Sequence, residues 1–331
     1  MRVIFVPEVS NPYQSLLAEA LAQLDVDTAQ YPSMPTWRWL LRNHGNGAVL
    51  HLHWLHPLYR PEGRPRRQLA RCIPRPIRRL GRAIDFPLKL LSARVLGYRL
   101  IWTMHNVMPH DSQSHALLDI CARHLIMSLA NAIIVHCEYA RTMIEERFDR
   151  SEDIVVIPHG NHASNYPTAI PQAEAREKLD ISDDAFVYLF FGRIRPYKGV
   201  QSLMQAFRQI ADVNSRLLIA GPCENDDMKR LMLRASREDC RISLKPEFVP
   251  QEKVPLLFGA ADVLVTPFSR ILTSSSVILG LSLGRPVIAP ALGCLPELIT
   301  PQVGILYDPE GQEPLLSAMR EIRNRNLEAM S

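Results

Sequence analysis

Phe190-Phe191-Gly192-Arg193-Ile194-Arg195-Pro196-Tyr197-Lys198-Gly199-Val200 is the stretch whose reading decides the fold. The apolar, aromatic-rich run from Val187 to Phe191 reads as a buried strand. Gly192 ends it, cations follow in a tight loop, and beyond Gly199 a helical pattern runs from Gln201 to Ala211. A cationic loop between a strand's carboxyl end and a helix is where open α/β sheets bind ligands. Arg193 and Lys198 are spaced to make two contacts with one diphosphate. On local residues alone, a solvated basic turn is the competing reading.

The same rhythm of strand, polar loop and helix extends outward. On the amino side, Arg2 to Val6 is a strand, and a helix follows from Ser15 to Gln23, with Ser10 or Asn11 as cap and Pro12 in its first turn. Ala48 to Trp54 is a strand ending in His53, Trp54 and His56, and a His-x-His-Trp cluster at a strand end suggests a site, although isolated strand histidines are mostly structural. Arg99 to Thr103 is a buried strand that runs into Met104-His105-Asn106-Val107-Met108-Pro109-His110-Asp111. A long helix over Ser114 to Ser128, a strand at Ala132 to His136, a helix to Phe148 and a strand at Ile154 to Ile157 complete this half. The polar, proline-containing run to Gln172 reads as a linker.

On the carboxyl side come a strand over Arg216 to Ala220, a short one at Ile242 to Leu244, a helix from Pro250 to Ala260 and a strand within Ala261 to Phe268. Thr273-Ser274-Ser275-Ser276 then precedes an apolar helix, Val277 to Leu283. Arg285 to Ala289 and Gly304 to Tyr307 are further strands, and Glu313 to Ser331 is helical. Strict alternation predicts parallel sheets with right-handed crossovers. The expected fold is α/β, with two Rossmann-like, doubly wound domains, residues 1–165 and 166–331, whose strand carboxyl ends surround one cleft. No Gly-x-Gly-x-x-Gly opens the first unit, which argues against NAD or FAD.

At 331 residues, the chain exceeds the roughly 250–300 residues at which a single core stops growing. Its 47% hydrophobic and 22% charged composition is that of a soluble globular protein. No apolar run approaches the ~20 residues of a membrane span, and the opening residues read as a first strand rather than a signal peptide. The six cysteines form no Cys-x-x-Cys pair; several lie in apolar segments and read as buried free thiols in a reducing compartment, and no zinc pattern occurs.

The net charge of +4 is very uneven, because twelve Lys and Arg between Arg60 and Arg99 face only Glu62 and Asp85. This basic insertion, 60–99, reads as a Pro-Arg-rich loop to Arg82 followed by an amphipathic helix, Ile84 to Tyr98. A solvated insertion is one reading. Nucleic-acid binding is a second, disfavoured by the lack of interleaved aromatics or a recognition module. Adhesion to an anionic membrane face is favoured, with Leu88, Leu90, Leu91, Val95 and Leu96 dipping in. That places the protein in the cytoplasm, peripheral on the inner face of the cell membrane.

The later motifs resemble a known family. Phe191-Gly192-Arg193-x-x-Pro196-x-Lys198-Gly199, Ile219-Ala220-Gly221-Pro222, Ala261-Asp262-Val263-x-x-x-Pro267, Ser276-Val277 with Leu283-Gly284-x-Pro286-Val287-Ile288-Ala289, and Gly293-x-x-Pro296-Glu297 occur in the order and spacing of GT-B glycosyltransferases of the large family four. In the first half, Asn11-Pro12-Tyr13-Gln14, His51-Leu52-His53-Trp54 and His105-Asn106-Val107-x-Pro109-His110 resemble the bacterial exopolysaccharide branch with xanthan-type β-mannosyltransferases. The resemblance implies an amino-terminal acceptor domain and a carboxy-terminal nucleotide-sugar domain. It implies that Gly192, Arg193 and Lys198 hold the donor diphosphate, with Ser274, Ser275 and Ser276 at a helix start offering N–H groups to the same phosphates. His105 matches a histidine that contacts the transferred sugar. Such enzymes usually carry two glutamates flanking the phosphate helix; here Ile271 and Leu279 stand in those places. The chain also ends early for this fold, so a short or absent closing helix is expected.

Transfer would need the leaving nucleoside diphosphate stabilised and the acceptor hydroxyl deprotonated. The cationic loop and helix start serve the first. No Asp-x-Asp motif is present, so no metal or other cofactor is expected. For the second, Asp111, Glu8 and His105 follow predicted strands and are the candidate bases, Asp111 first and Glu8 second. Both carboxylates also stand just ahead of helices, where capping is the competing role. The implied partners are a nucleotide-sugar donor, with GDP-mannose the guess through the resemblance, and a saccharide or lipid-linked acceptor. An epimerase on the same fold, or a silent sugar-nucleotide-binding partner of another glycosyltransferase, are the alternatives.

Overall fold

The structure is a computed structural model that describes residues 1–9, 12–44, 48–60, 75–106, 116–161, 166 and 170–330, with backbone alone for 75–80. Asp111, the cap candidates Ser10 and Asn11, and residues 61–74 of the basic insertion lie outside the described residues. The chain divides into two compact units, Met1–Pro158 and His159–Ser331.

In the first unit, six parallel strands form one sheet: β1 (Arg2–Val6), β2 (Asp27–Gln30), β3 (Val49–Leu52), β4 (Arg99–Thr103), β5 (Ala132–Val135) and β6 (Ile154–Val156). Their order is β2-β1-β3-β4-β5-β6. The helices are α1 (Pro12–Ala22), α2 (Trp37–Asn43), α3 (His56–Tyr59), α4 (Arg75–Val95), α5 (Ala116–Leu129) and α6 (Glu138–Phe148). The strand order reverses between β1 and β3, and open α/β sheets bind ligands past the carboxyl ends of strands at such a reversal, here past Val6 and Leu52.

The second unit begins with α7 (Gln172–Leu179) and β7 (Phe186–Phe191), followed by α8 (Val200–Arg208), β8 (Ser215–Ala220), α9 (Asp226–Ser236) and β9 (Ile242–Lys245). Next come α10 (Val254–Ala260), β10 (Val263–Val265), α11 (Ser275–Ser282), β11 (Val287–Pro290), α12 (Leu295–Leu298), β12 (Gly304–Tyr307) and α13 (Pro314–Glu321). Its parallel sheet runs β12-β11-β10-β7-β8-β9, the dinucleotide-fold order, with its reversal between β7 and β10.

Burial on both faces explains the unbroken apolar character of β7. Tyr188 and Phe190 enter one core with Leu217, Ile219 and, from α8, Leu203 and Phe207. Val187 and Leu189 enter the opposite core with Leu218, Ala220 and Leu264. Each such side chain contributes about 1.5–3 kcal/mol on burial, which fixes the register of the strand that aims the Gly192 loop. These are the two parallel sheets of the GT-B architecture expected from the sequence.

Several local expectations need correction. Residues 75–82 are helical, not loop, so α4 is longer than the expected Ile84 to Tyr98 helix; Pro76 suits its first turn, and Pro87 lies inside it. The expected Glu313 to Ser331 helix ends at Glu321 and continues as short 3₁₀ turns, Ile322–Asn324 and Glu328–Met330. The supposed linker ends in α7. The free cysteines Cys121 and Cys240 are exposed and Cys223 is half-buried, so the buried-thiol expectation fails for these three. Among the described residues, no helix is long and apolar enough to cross a membrane.

Candidate functional site

Beyond β7 the chain turns at Gly192, whose φ of 130° disfavours a side chain and whose Cβ position would lie 3.0 Å from Ser276 Oγ. The start of α11 therefore lies directly against the β7 loop. Ile194 N–H donates to the Pro222 carbonyl (2.8 Å) and Glu224 N–H to the Ile194 carbonyl (3.0 Å), tying the loop to the end of β8. Gly199 closes it at φ 68°; a Cβ there would fall 1.9 Å from the Pro267 carbonyl oxygen, so no larger residue fits.

Arg193 is exposed and Lys198 half-buried. Among the described residues neither is ion-paired to a carboxylate, whereas Arg195 between them reaches Glu224 at 3.4 Å. Lys198 Nζ lies 4.3 Å from the centre of the Phe268 ring and 5.6 Å from that of Tyr197. Burial, and secondarily the charge of Arg195, pushes its pKa down to about 8. Ser274 is buried and caps α11, accepting from Val277 N–H at 3.3 Å. Its hydroxyl is thus engaged by the helix itself. Ser275 and Ser276 occupy the first turn, where helix geometry leaves their N–H groups without an intrahelical acceptor. A cation pair and a helix N-terminus at a strand-order reversal are groups of the kind that suit an anion. Leu279 is in the core and Ile271 packs against it, so the two positions that would carry glutamates are apolar and turned inward.

At the corresponding reversal of the first unit, the residues are aromatic. Gln14, fully buried on α1, donates to the Pro7 carbonyl (2.9 Å) and accepts from Val9 N–H (3.1 Å), shaping the loop that carries Glu8. Glu8 is exposed, and its N–H donates to the Tyr31 carbonyl at 2.6 Å. His53 and His105, from the ends of β3 and β4, are both buried, with His53 Nδ1 and His105 Nε2 3.3 Å apart. The Trp54 ring lies parallel to His105 at 4.1 Å. His51 Nε2 and Thr103 Oγ1 are 2.7 Å apart, and His136 Nδ1 lies 2.9 Å from the Ile157 carbonyl. Tyr13, from the first turn of α1, sets its ring edge-on to His53, His105 and His136. Burial holds His51 down to about 3 and His53 well below the ordinary imidazole range, so both are neutral.

Sequence reading placed His105, His53 and Trp54 at strand ends but assigned no role to Tyr13, Gln14 or His136. Tyr13 and Gln14 did stand in the quoted Asn-Pro-Tyr-Gln motif. Behind this cluster, Asp119 of α5 is wholly buried and accepts from Tyr59 Oη (2.7 Å) and Arg60 Nε (3.0 Å). Arg123, one turn along α5, donates to the Asn106 carbonyl at 3.0 Å, next to His105. Among the described residues no group of three or more His, Cys, Asp or Glu side chains is arranged to hold a metal ion.

Residues 185–325 match the model of the family described as glycosyl transferases group 1. The chain is a glycosyltransferase with a group 1 domain. It is 28% identical, over 94% of its own length and 79% of the relative's, to a GDP-mannose:glycolipid 4-beta-D-mannosyltransferase of Xanthomonas campestris pv. campestris. Solved structures with the same fold include sucrose-phosphate synthase from Thermosynechococcus elongatus (TM-score 0.69, 17% identity, 99% of this chain and 90% of that one). The Anabaena protein HepE in complex with UDP-glucose is another (TM-score 0.68, 18% identity, 100% and 92%). This glycosyltransferase therefore has the GT-B fold.

Proposed function

We propose that this glycosyltransferase moves a mannosyl group from GDP-mannose to a glycolipid acceptor in bacterial polysaccharide synthesis, at an anionic membrane surface and without a metal ion. The observation that carries the reading is the convergence of Arg193, Lys198 and the α11 start at the β7–β10 reversal. There, fixed positive charge without a carboxylate partner among the described residues suits a leaving diphosphate. The relatives that act on GDP-mannose and glycolipid span most of the chain and support the donor and acceptor classes. Removal of the acceptor proton falls to a carboxylate, Asp111 or Glu8.

The surface of α4 supports the membrane assignment. Phe86, Leu90 and Ala93 are buried, while Ile84, Leu88, Leu91 and Val95 are exposed at helical spacing, with Arg82 and Arg94 exposed beside them. Leu90 thus belongs to the core, and the lipid-facing stripe is Ile84, Leu88, Leu91 and Val95. An apolar stripe in a strongly basic segment suits anionic lipid.

Thermal shift with GDP-mannose, UDP-glucose and free GDP tests the donor. GDP-mannose at 100 times its Kd adds about 2.7 kcal/mol of stability. A response to UDP-glucose alone overturns the GDP assignment. Cosedimentation with phosphatidylglycerol vesicles tests the surface: replacing Leu88 and Val95 by Asp abolishes binding, and unchanged binding removes α4 from the contact.

A further inference from the structure

His53 packs against both His105 and Trp54, its ring centre 5.5 Å and 5.9 Å from theirs. It is 1% exposed, and its Nδ1 shares a hydrogen with His105 Nε2 across 3.3 Å. Its other nitrogen, Nε2, is enclosed and has no hydrogen-bond partner among the described residues. The ring is fixed from several sides. His53 N–H donates to the Val6 carbonyl at 2.9 Å, and its own carbonyl accepts from Trp102 Nε1 at 3.0 Å. His51 stacks on it at 4.3 Å, and Phe5 meets it edge-on at 5.5 Å.

Two imidazoles joined by one hydrogen bond need complementary nitrogens, since one donates and the other accepts. If His53 carries its proton on Nε2, a buried N–H has no acceptor. If the proton is on Nδ1, the buried nitrogen is a bare lone pair and the N–H is used. Orphaned buried donors are rarer than under-used acceptors, because the donor loses its full solvation. Desolvation, together with the neighbouring His51, His105 and His136, keeps His53 neutral, so the doubly protonated ring does not compete.

We propose that His53 is a positioning residue: its Nδ1–H donates to His105 Nε2 and so fixes His105 in the tautomer that carries its proton on Nδ1. Any hydrogen bond between His105 and a substrate oxygen is then one that His105 donates. It cannot take the acceptor's proton, because one nitrogen is already protonated and the lone pair of the other is held by His53. Of the three candidate bases, that leaves the carboxylates Asp111 and Glu8. The last two steps rest on the glycosyl-transfer reading; the tautomer does not.

Long-range ¹H–¹⁵N correlation spectra of the ¹⁵N-histidine-labelled protein at neutral pH read the tautomer directly, with His105 assigned by the signals lost in His105→Gln. The expected spectrum shows His105 protonated at Nδ1 and bare at Nε2. The reverse pattern in the unmodified protein overturns the proposal without any variant. His53→Phe keeps ring volume but removes the donor, and His105 should become a mixture of tautomers. His53→Asn offers an amide N–H in place of Nδ1 and should restore the original pattern. Turnover of GDP-mannose should fall roughly ten- to a hundredfold in His53→Phe with little change in KM, and recover in His53→Asn. An unchanged His105 tautomer in His53→Phe overturns the proposal. The expected tautomers with no turnover of GDP-mannose in any form sink the donor assignment instead.

Discussion

At the ends of β1, β3 and β4 the first unit gathers imidazole and aromatic rings; at the ends of β7 and β10 the second gathers glycines, cations and a helix start. Both are strand-order reversals of a parallel sheet, yet they treat charge in opposite ways. In the first unit charge is suppressed or paired: His51 and His53 are held neutral, and Asp119 binds Arg60 in the interior. In the second, Lys198 is half-buried against aromatic rings with no carboxylate partner among the described residues. A desolvated cation without a partner lowers stability, and an incoming anion offsets that. The same topological position can therefore serve as a rigid platform or as a charge receptor, depending on whether its ionisable groups are satisfied from within.

The sharpest way to break this comparison is to remove one charge from each place. Asp119→Ala leaves buried guanidinium charge without its carboxylate and should cost about 3–5 kcal/mol, read as an earlier urea transition of the first unit. A midpoint within error of the parent would show that the pair is not what holds α3 to α5. Lys198→Ala should do the reverse. It leaves folding intact while weakening GDP binding by about 2–3 kcal/mol, roughly thirty- to 150-fold, by calorimetry. If it destabilises the fold and spares GDP affinity, Lys198 is structural.

Acidity sharpens the contrast at smaller effect. His51 has a folded pKa of about 3 against an unfolded value of 6.5. Between those values the unfolded chain binds more protons, so stability falls as pH drops below 6.5 and is regained as pH rises. Lys198, at about 8, loses its charge as pH rises through that value, so GDP affinity should fade above pH 8. Acid lability should therefore belong to the first unit's unfolding transition and alkaline loss to nucleotide binding. Nucleotide affinity that stays flat from pH 7 to pH 9.5 would remove Lys198 from the anion site.

How much of this was legible in the sequence depends on how local each feature is. β7 and its loop were readable because six consecutive residues, Phe186 to Phe191, are apolar or aromatic and Gly192 and Gly199 punctuate the turn. The edge strand Asp27–Gln30 went unread because Asp-Thr-Ala-Gln carries neither an apolar run nor an alternation; pairing with β1 makes it a strand. The helix Asp226–Ser236 also went unread, though Asn225 caps it through Met228 N–H at 2.8 Å. The start of α4 was hidden by a Pro-Arg-rich composition that reads as loop.

For this protein the sequence alone determined the alternation of strands and helices, the two-unit organisation, the cationic loop and the loss of the two glutamates. Those properties are carried by neighbours in the chain. Only the tertiary structure decided that Ser276 abuts Gly192, that Ser274 is spent on capping and that Lys198 sits over Phe268. It likewise decided that His53 meets His105, 52 residues away. Such pairings depend on which strands lie side by side and on what water is excluded from. Hydrogen bonding and charge there follow from burial, which no single stretch of sequence specifies.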